Sequence, residues 1–226
     1  MTRTARVGGG GQAPDYDFVA GAFAPLERLC FLGGMERARA AHRSELRGVR
    51  RVLCLGPGDG RALVALRRVC PDARLIAVEP SARMRALAET RLGESAVGAL
   101  DWVSEPWPEG AEEVEEVDAI VSDFFLDQFV GAELERVVAA AAGRLAPGGK
   151  WCWADFAPPE SRLQRAWIGP LLSALYTAFG LTTGLGTRRL EDPGPALARA
   201  GLEPSCAWRS PTGLFRSEVW ISSDRT

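Results

Sequence analysis

Three glycines at alternate positions, Gly56, Gly58 and Gly60, follow the apolar run Arg51-Val-Leu-Cys-Leu55 and precede a stretch whose apolar residues recur with helical spacing. A glycine-rich turn between a buried strand and a helix lets the backbone approach a ligand closely and points free N–H groups at it, so the chemistry implied is nucleotide binding. The dinucleotide fingerprint G-x-G-x-x-G needs glycine at position 61, which is Arg61 here. The tighter G-x-G-x-G spacing suits a ligand without a pyrophosphate to cradle. An acidic residue ending the next strand would accept hydrogen bonds from both ribose hydroxyls. Glu79 stands 79 − 60 = 19 residues beyond the last glycine, close to the spacing of about 20 expected of such a residue.

Two further carboxylates follow later apolar runs. Asp127 comes after Val117 to Val121, and Asp155 closes the run from Trp151 to Phe156. Ligand crevices of doubly wound sheets open beyond the carboxyl ends of the strands, so both are candidates to line a site. In a mostly apolar pocket a carboxylate loses hydration and its pKa rises, which suits a general base; Asp127 is the first choice and Asp155 the second. The other reading of Asp127 is a cap on the turn before a helix at Ala132. His42, the sole histidine, reads as a packing residue of a helical cap in preference to a base. Trp167, Leu171, Leu175 and Phe179 share one helical stripe, with Tyr176 on the same helix; the stripe reads as core or as a lid over an apolar substrate. Trp151 and Trp153 alternate on one strand and read as packing residues.

The elements that must position these groups alternate. Strands are expected at Arg51–Leu55, Leu75–Val78, Val97–Val103, Val117–Val121 and Trp151–Phe156. Helices are expected up to Val69, over Ser81–Leu92 with Ser81 as N-cap, over Ala132–Leu145 until Pro147-Gly148-Gly149, over Leu163–Phe179 and over Pro195–Ala200. Two last strands, Ser205–Arg209 and Leu214–Ile221, flank a Ser210-Pro-Thr-Gly213 turn and should pair antiparallel. The acidic run Glu109 to Glu116 reads as a solvated loop. Strands alternating with helices imply an α/β, doubly wound, mainly parallel sheet covered on both faces. From Phe18 to Leu46 two short helices, interrupted near Gly33-Gly34, read as an N-terminal cap.

A length of 226 residues suits one α/β domain. The expected organisation is a mobile tail over 1–14 and a single domain over 15–226, with the helical cap at 15–48 and the core at 49–226. The net charge is −2 and the arginines are scattered, so the footprint of a nucleic-acid binder is missing. The five cysteines are odd in number and form no C-x-x-C pair, which points to a reducing, cytoplasmic compartment and away from a zinc site. No apolar stretch reaches the roughly 18 residues that a membrane span needs, and no segment near the N-terminus resembles a signal peptide.

The runs Val52-Leu-Cys-Leu-Gly-Pro-Gly-Asp-Gly60, Val78-Glu-Pro-Ser81 with Met84, and Leu145-Ala-Pro-Gly-Gly149 ahead of a strand together resemble class I, Rossmann-like S-adenosylmethionine-dependent methyltransferases. The resemblance runs from about Tyr16 to the last strand. It is nearest to the small-molecule branch that includes quinone-biosynthesis methyltransferases. Val121-Ser-Asp-Phe-Phe-Leu-Asp-Gln-Phe129 and Ala154-Asp-Phe156 are similar to a subgroup of such proteins. The resemblance implies a seven-stranded sheet with the last strand antiparallel, S-adenosyl-L-methionine as cofactor, and a small, partly apolar methyl acceptor. It places the methionine part of the cofactor at Gly56-Pro57-Gly58 to Gly60 and the ribose on Glu79, beside Pro80. Adenine would lie between Met84 and the loop around Ser104-Glu105. Asp123 would belong to the same site, and Tyr16 would close over it from the cap.

There are departures. Family members usually carry an acid two positions before the first glycine, where this chain has Cys54. Ser104-Glu105-Pro106 fits the third family motif poorly. Methyltransferases of exocyclic amines in DNA resemble one another in an Asn/Asp-Pro-Pro-Tyr/Phe motif, whereas this chain has Asp123-Phe124-Phe125-Leu126. Methyl transfer is an in-line attack on a sulfonium carbon with a good leaving group, so alignment is the main requirement and a base is needed only for a protonated nucleophile. Two other readings keep the fold: a different chemistry in the same pocket, such as aminopropyl transfer or a nicotinamide reaction, and a cofactor-binding protein without transferase activity.

Overall fold

Short runs of β-branched and aliphatic residues bounded by polar turns form the centre of one sheet. They are β1 (Arg51–Leu55), β2 (Arg74–Val78) and β4 (Val117–Asp123), each buried over most of its length. The computed structural model describes residues 33–93, 100–183 and 190–223, with the backbone alone over 173–183. Four more strands complete the sheet: β3 (Leu100–Val103), β5 (Leu145–Phe156), β6 (Leu202–Arg209) and β7 (Phe215–Ser222). The order is β3-β2-β1-β4-β5-β7-β6, and β7 runs antiparallel to both of its neighbours. The expected seven strands and antiparallel last strand are both present.

Six helices in the described residues cover the sheet: α1 (Gly34–Ala40), α2 (Arg61–Val69), α3 (Ala82–Leu92), α4 (Gly131–Ala142), α5 (Arg162–Thr183) and α6 (Gly194–Arg199). Strand alternation assigns their partners. Leu53, Leu55, Ile120, Trp151 and Trp153 pack with Leu134, Val137 and Val138 of α4 and Leu197 of α6. Val52, Cys54, Val121 and Cys152 point the other way, against Leu63 and Leu66 of α2 and Ala88 of α3. At the carboxyl end of β5 a third cluster joins Met35 and Ala38 of α1 to Phe156, Phe215 and Ile168 and Leu172 of α5. Ser81 caps α3 as expected, its hydroxyl accepting from the Met84 N–H at 3.2 Å. No helix of the described residues is long and apolar enough to cross a membrane.

Three expectations need correction. Helix α4 ends at Ala142, and Leu145 to Gly149 open β5 instead of ending the helix. Leu145 pairs with Val117, and a register irregularity before Ala119 absorbs the extra residues of the Pro-Gly-Gly stretch. The acidic run is not wholly loop: Glu109–Glu113 is a 3-10 turn that keeps its glutamates in solvent while Gly110, Ala111 and Val114 are buried. On α5 the core face is one residue on from the expected stripe. Ile168 and Leu172 are buried at 0% and 6%, whereas Trp167 and Leu171 are 40% and 36% exposed. The tail at 1–14, the first cap helix and residues 97–99 lie outside the described residues.

Candidate active site

The three glycines of the turn after β1 all have positive φ, 60° at Gly56, 55° at Gly58 and 84° at Gly60. Their surroundings differ. A Cβ on Gly56 would stand 2.6 Å from the Phe125 ring, and one on Gly60 would stand 2.6 Å from the Ala88 backbone, but one on Gly58 would meet nothing within 4 Å among the described residues. The outer glycines therefore allow close packing, and the middle one borders open space. The Gly58 N–H donates to Glu79 Oε2 at 3.1 Å, and the Ser81 N–H donates to Oε1 of the same carboxylate at 3.1 Å. Glu79 is 6% exposed. Pro57 is buried within the turn, Pro80 is exposed beyond Glu79, and Met84 is buried in the first turn of α3. Ser104 and Glu105 are exposed just beyond β3. Because β1, β2 and β3 are parallel neighbours, these residues form a row along their carboxyl ends.

On the other side of β1, Ser122 pairs with Leu55, which sets Asp123 beside the start of the glycine turn. The Asp123 side chain forms an ion pair with Arg43, from the 3-10 turn Arg43–Leu46 that follows α1, and both side chains are 6% exposed. Burial raises the Asp123 carboxyl above its ordinary value, and the Arg43 guanidinium pulls it back. Cys54, on β1 just below the turn, is fully within the core, and burial pushes its thiol up to about 12. Nothing in the sequence around Arg43 singles it out, since it is one arginine in an arginine-rich cap. Phe124 follows with φ 54°, a left-handed conformation that is unusual for a bulky residue and costs strain energy. Its ring lies under the Arg39 guanidinium at 4.9 Å and edge-on to Phe156 and Phe215.

Asp127 and Asp155 come together as a buried pair, 7% and 2% exposed. Asp155 Oδ2 accepts the Asp127 N–H at 3.0 Å and Oδ1 accepts the Phe156 N–H at 2.9 Å. Burial first and the Asp127 charge second hold the Asp155 carboxyl well above the usual range, against the two N–H bonds and Arg216. Asp155 thus clamps the end of β5 to the 3-10 turn Leu126–Gln128 on which Asp127 sits. Asp127 does not cap α4: Val130 occupies that N-cap without a side-chain bond, and the Gly131 N–H donates to Glu191.

His42 lies against the outer strands, with Nε2 3.2 Å from the Ser217 carbonyl and Nδ1 3.6 Å from Cys206 Sγ, as a packing residue would. Trp151 bonds Ser122 Oγ at 2.9 Å and Trp153 lies under Arg216. Tyr16 and the side chains of Leu175, Tyr176 and Phe179 lie outside the described residues. Among the described residues no three His, Cys, Asp or Glu side chains stand close enough to hold a metal.

The sheet order, the antiparallel last strand and the glycine turn above Glu79 define the class I methyltransferase fold. Residues 52–149, from β1 into β5, match the family described as methyltransferase domain. An O-methyltransferase family protein from Burkholderia thailandensis has the same fold, with a TM-score of 0.68 and 18% identity over 93% of this chain and 60% of its own. The mitomycin 7-O-methyltransferase MmcR gives 0.65 and 15% over 95% of this chain and 62% of its own. The N-methyltransferase NodS from Bradyrhizobium japonicum WM9, in complex with S-adenosyl-L-homocysteine, gives 0.59 and 16% over 83% of this chain and 86% of its own. At these identities the likeness is one of fold. The chain spans about three fifths of the Burkholderia and mitomycin enzymes. No curated protein matches the sequence. The narrower likeness to quinone-biosynthesis enzymes finds no support in these matches.

Proposed function

We propose that the protein transfers a methyl group from S-adenosyl-L-methionine to a small, partly apolar molecule. The observation that supports this best is the open space beside Gly58, bounded by the Gly58–Glu79 hydrogen bond. A side chain at position 58 would fill it, and a ligand that presses on the backbone fits there. The methionine end of the cofactor would lie on Gly56, Pro57, Gly58 and Gly60, near Asp123. Its ribose would reach Glu79, whose carboxylate can accept up to about four hydrogen bonds. Its adenine would lie beside Pro80 and Met84, towards Ser104 and Glu105, and Tyr16 would close the site from the cap. NodS, of the same fold, is solved with the demethylated product of this cofactor.

When bound, the cofactor supplies an electrophilic methyl group. The chain's task is alignment, with Phe124, Phe125 and Phe129 as apolar surface at the end of β4. Where the nucleophile arrives protonated, Asp127 takes the proton, and Asp155 holds the turn that carries Asp127. The four described cysteines are free thiols and three of them are buried, which suits the cytoplasm.

Titration calorimetry tests the reading with S-adenosylmethionine, S-adenosylhomocysteine and NAD in turn. The first two are expected to bind and NAD to bind far more weakly. Preference for NAD, or binding of none, overturns it.

A further inference from the structure

One carboxylate on the cap connects the two turns that flank the proposed cofactor space. Glu36, on α1, accepts at Oε1 from Arg39 Nη1 at 2.9 Å and from Arg61 Nη1 at 3.0 Å. Arg61 turns back through Nε to Asp59 Oδ1 at 3.1 Å, inside the glycine turn. Asp59 Oδ2 is held in addition by Arg91 of α3 at 3.1 Å. On the other side of Glu36, Arg39 covers the ring of Phe124, the residue with left-handed backbone after β4. The chain of contacts therefore runs from Asp59, between Gly58 and Gly60, through the cap to the residue beside Asp123.

We propose that Glu36 is a positioning residue for cofactor retention, holding α1 against both turns; this rests on the reading of the Gly58 space as the S-adenosylmethionine site. Asp59 sits inside the turn closed by the Gly60 N–H on the Pro57 carbonyl at 3.1 Å, so anchoring Asp59 steadies the turn that presents the Gly58 N–H to Glu79. Arg39 over Phe124 braces a strained backbone on the opposite wall. The partners of Glu36, Arg39 and Arg61, are well covered at 11% and 16% exposed, as is Asp59 beyond Arg61 at 16%, but Glu36 itself is 47% exposed. Mobile ions reach such a carboxylate and screen it, so the connection weakens as salt rises.

The test is the release rate of S-adenosylhomocysteine, measured by stopped-flow displacement at low and high salt. This ligand has no net charge, so screening of its own encounter with the protein is small. Wild-type protein is expected to release it faster at high salt. Glu36→Gln is expected to release it about threefold faster than wild type at low salt, the scale of a half-exposed ion-pair network, and to respond little to salt. The melting temperature of the variant should stay close to that of wild type. Salt-independent release in the wild type, or an equal salt response in both proteins, overturns the inference while leaving the methyltransferase reading intact. If the ligand does not bind at all, both fall. Should Glu36→Gln fail to fold, Arg61→Gln opens the same bridge from its other end and is held to the same outcomes.

Discussion

The Gly58 N–H donates to Glu79 Oε2 over 3.1 Å, so the acid at the end of β2 braces the turn at the end of β1. Two groups proposed to touch different parts of one cofactor are thus mechanically a single unit. Gly58→Val should abolish binding of S-adenosylmethionine with the fold retained, because the added side chain meets no packed neighbour among the described residues. The left-handed backbone at Gly58 adds a cost of about 1–2 kcal/mol to any substituent. Glu79→Ala should cost about 1.5–3 kcal/mol of cofactor affinity, the range for hydrogen bonds to a charged group. Calorimetry on each variant measures both, and normal binding by Gly58→Val would move the pocket elsewhere.

Asp127 is expected to act on the acceptor and not on the cofactor. Once an acceptor is in hand, Asp127→Asn should lower kcat by about 10²-fold or more, the low end for general-base catalysis, with unchanged S-adenosylmethionine affinity. Asp155→Asn should also lower kcat, because an amide NH2 cannot accept both backbone N–H groups that Asp155 accepts. Near-normal turnover in both variants would leave alignment as the whole mechanism.

Asp155 also predicts a pH dependence of stability. Its carboxyl is raised in the folded protein, chiefly by burial, so the native state keeps a proton that the unfolded state releases. The contribution is therefore fully present below the ordinary carboxylate pKa and is lost as pH rises through the raised value. Calorimetric melting across that range should show the stability advantage of wild type over Asp155→Asn shrinking as pH increases. A constant or growing advantage would mean that Asp155 is ionised in the fold.

The two faces of α5 should respond differently to truncation. Ile168 is fully buried, so Ile168→Ala should destabilise by roughly 2–5 kcal/mol in chemical denaturation. Trp167 is 40% exposed, so Trp167→Ala should cost little stability. If its face forms a lid over the acceptor, the same variant raises KM for the acceptor and leaves cofactor affinity alone. A large loss of stability with normal kinetics would return Trp167 to the core.

The amino-acid sequence by itself determined the elements and the order of their chemistry. Runs such as Val52–Leu55 and Leu75–Val78 can hide their side chains only as strands buried on both faces, and the glycines and Glu79 follow them at intervals set along the chain. Such local periods survive in one dimension. Tertiary structure decided what meets across long separations. It brought Arg43 to Asp123, made Asp155 a clamp for Asp127's turn, and turned the core face of α5 from Trp167 to Ile168. It also divided three like glycines into two that pack and one that borders open space. These outcomes depend on which strands are neighbours and on how much room the packed layers leave. Neither quantity is carried by the spacing of residues along a single chain.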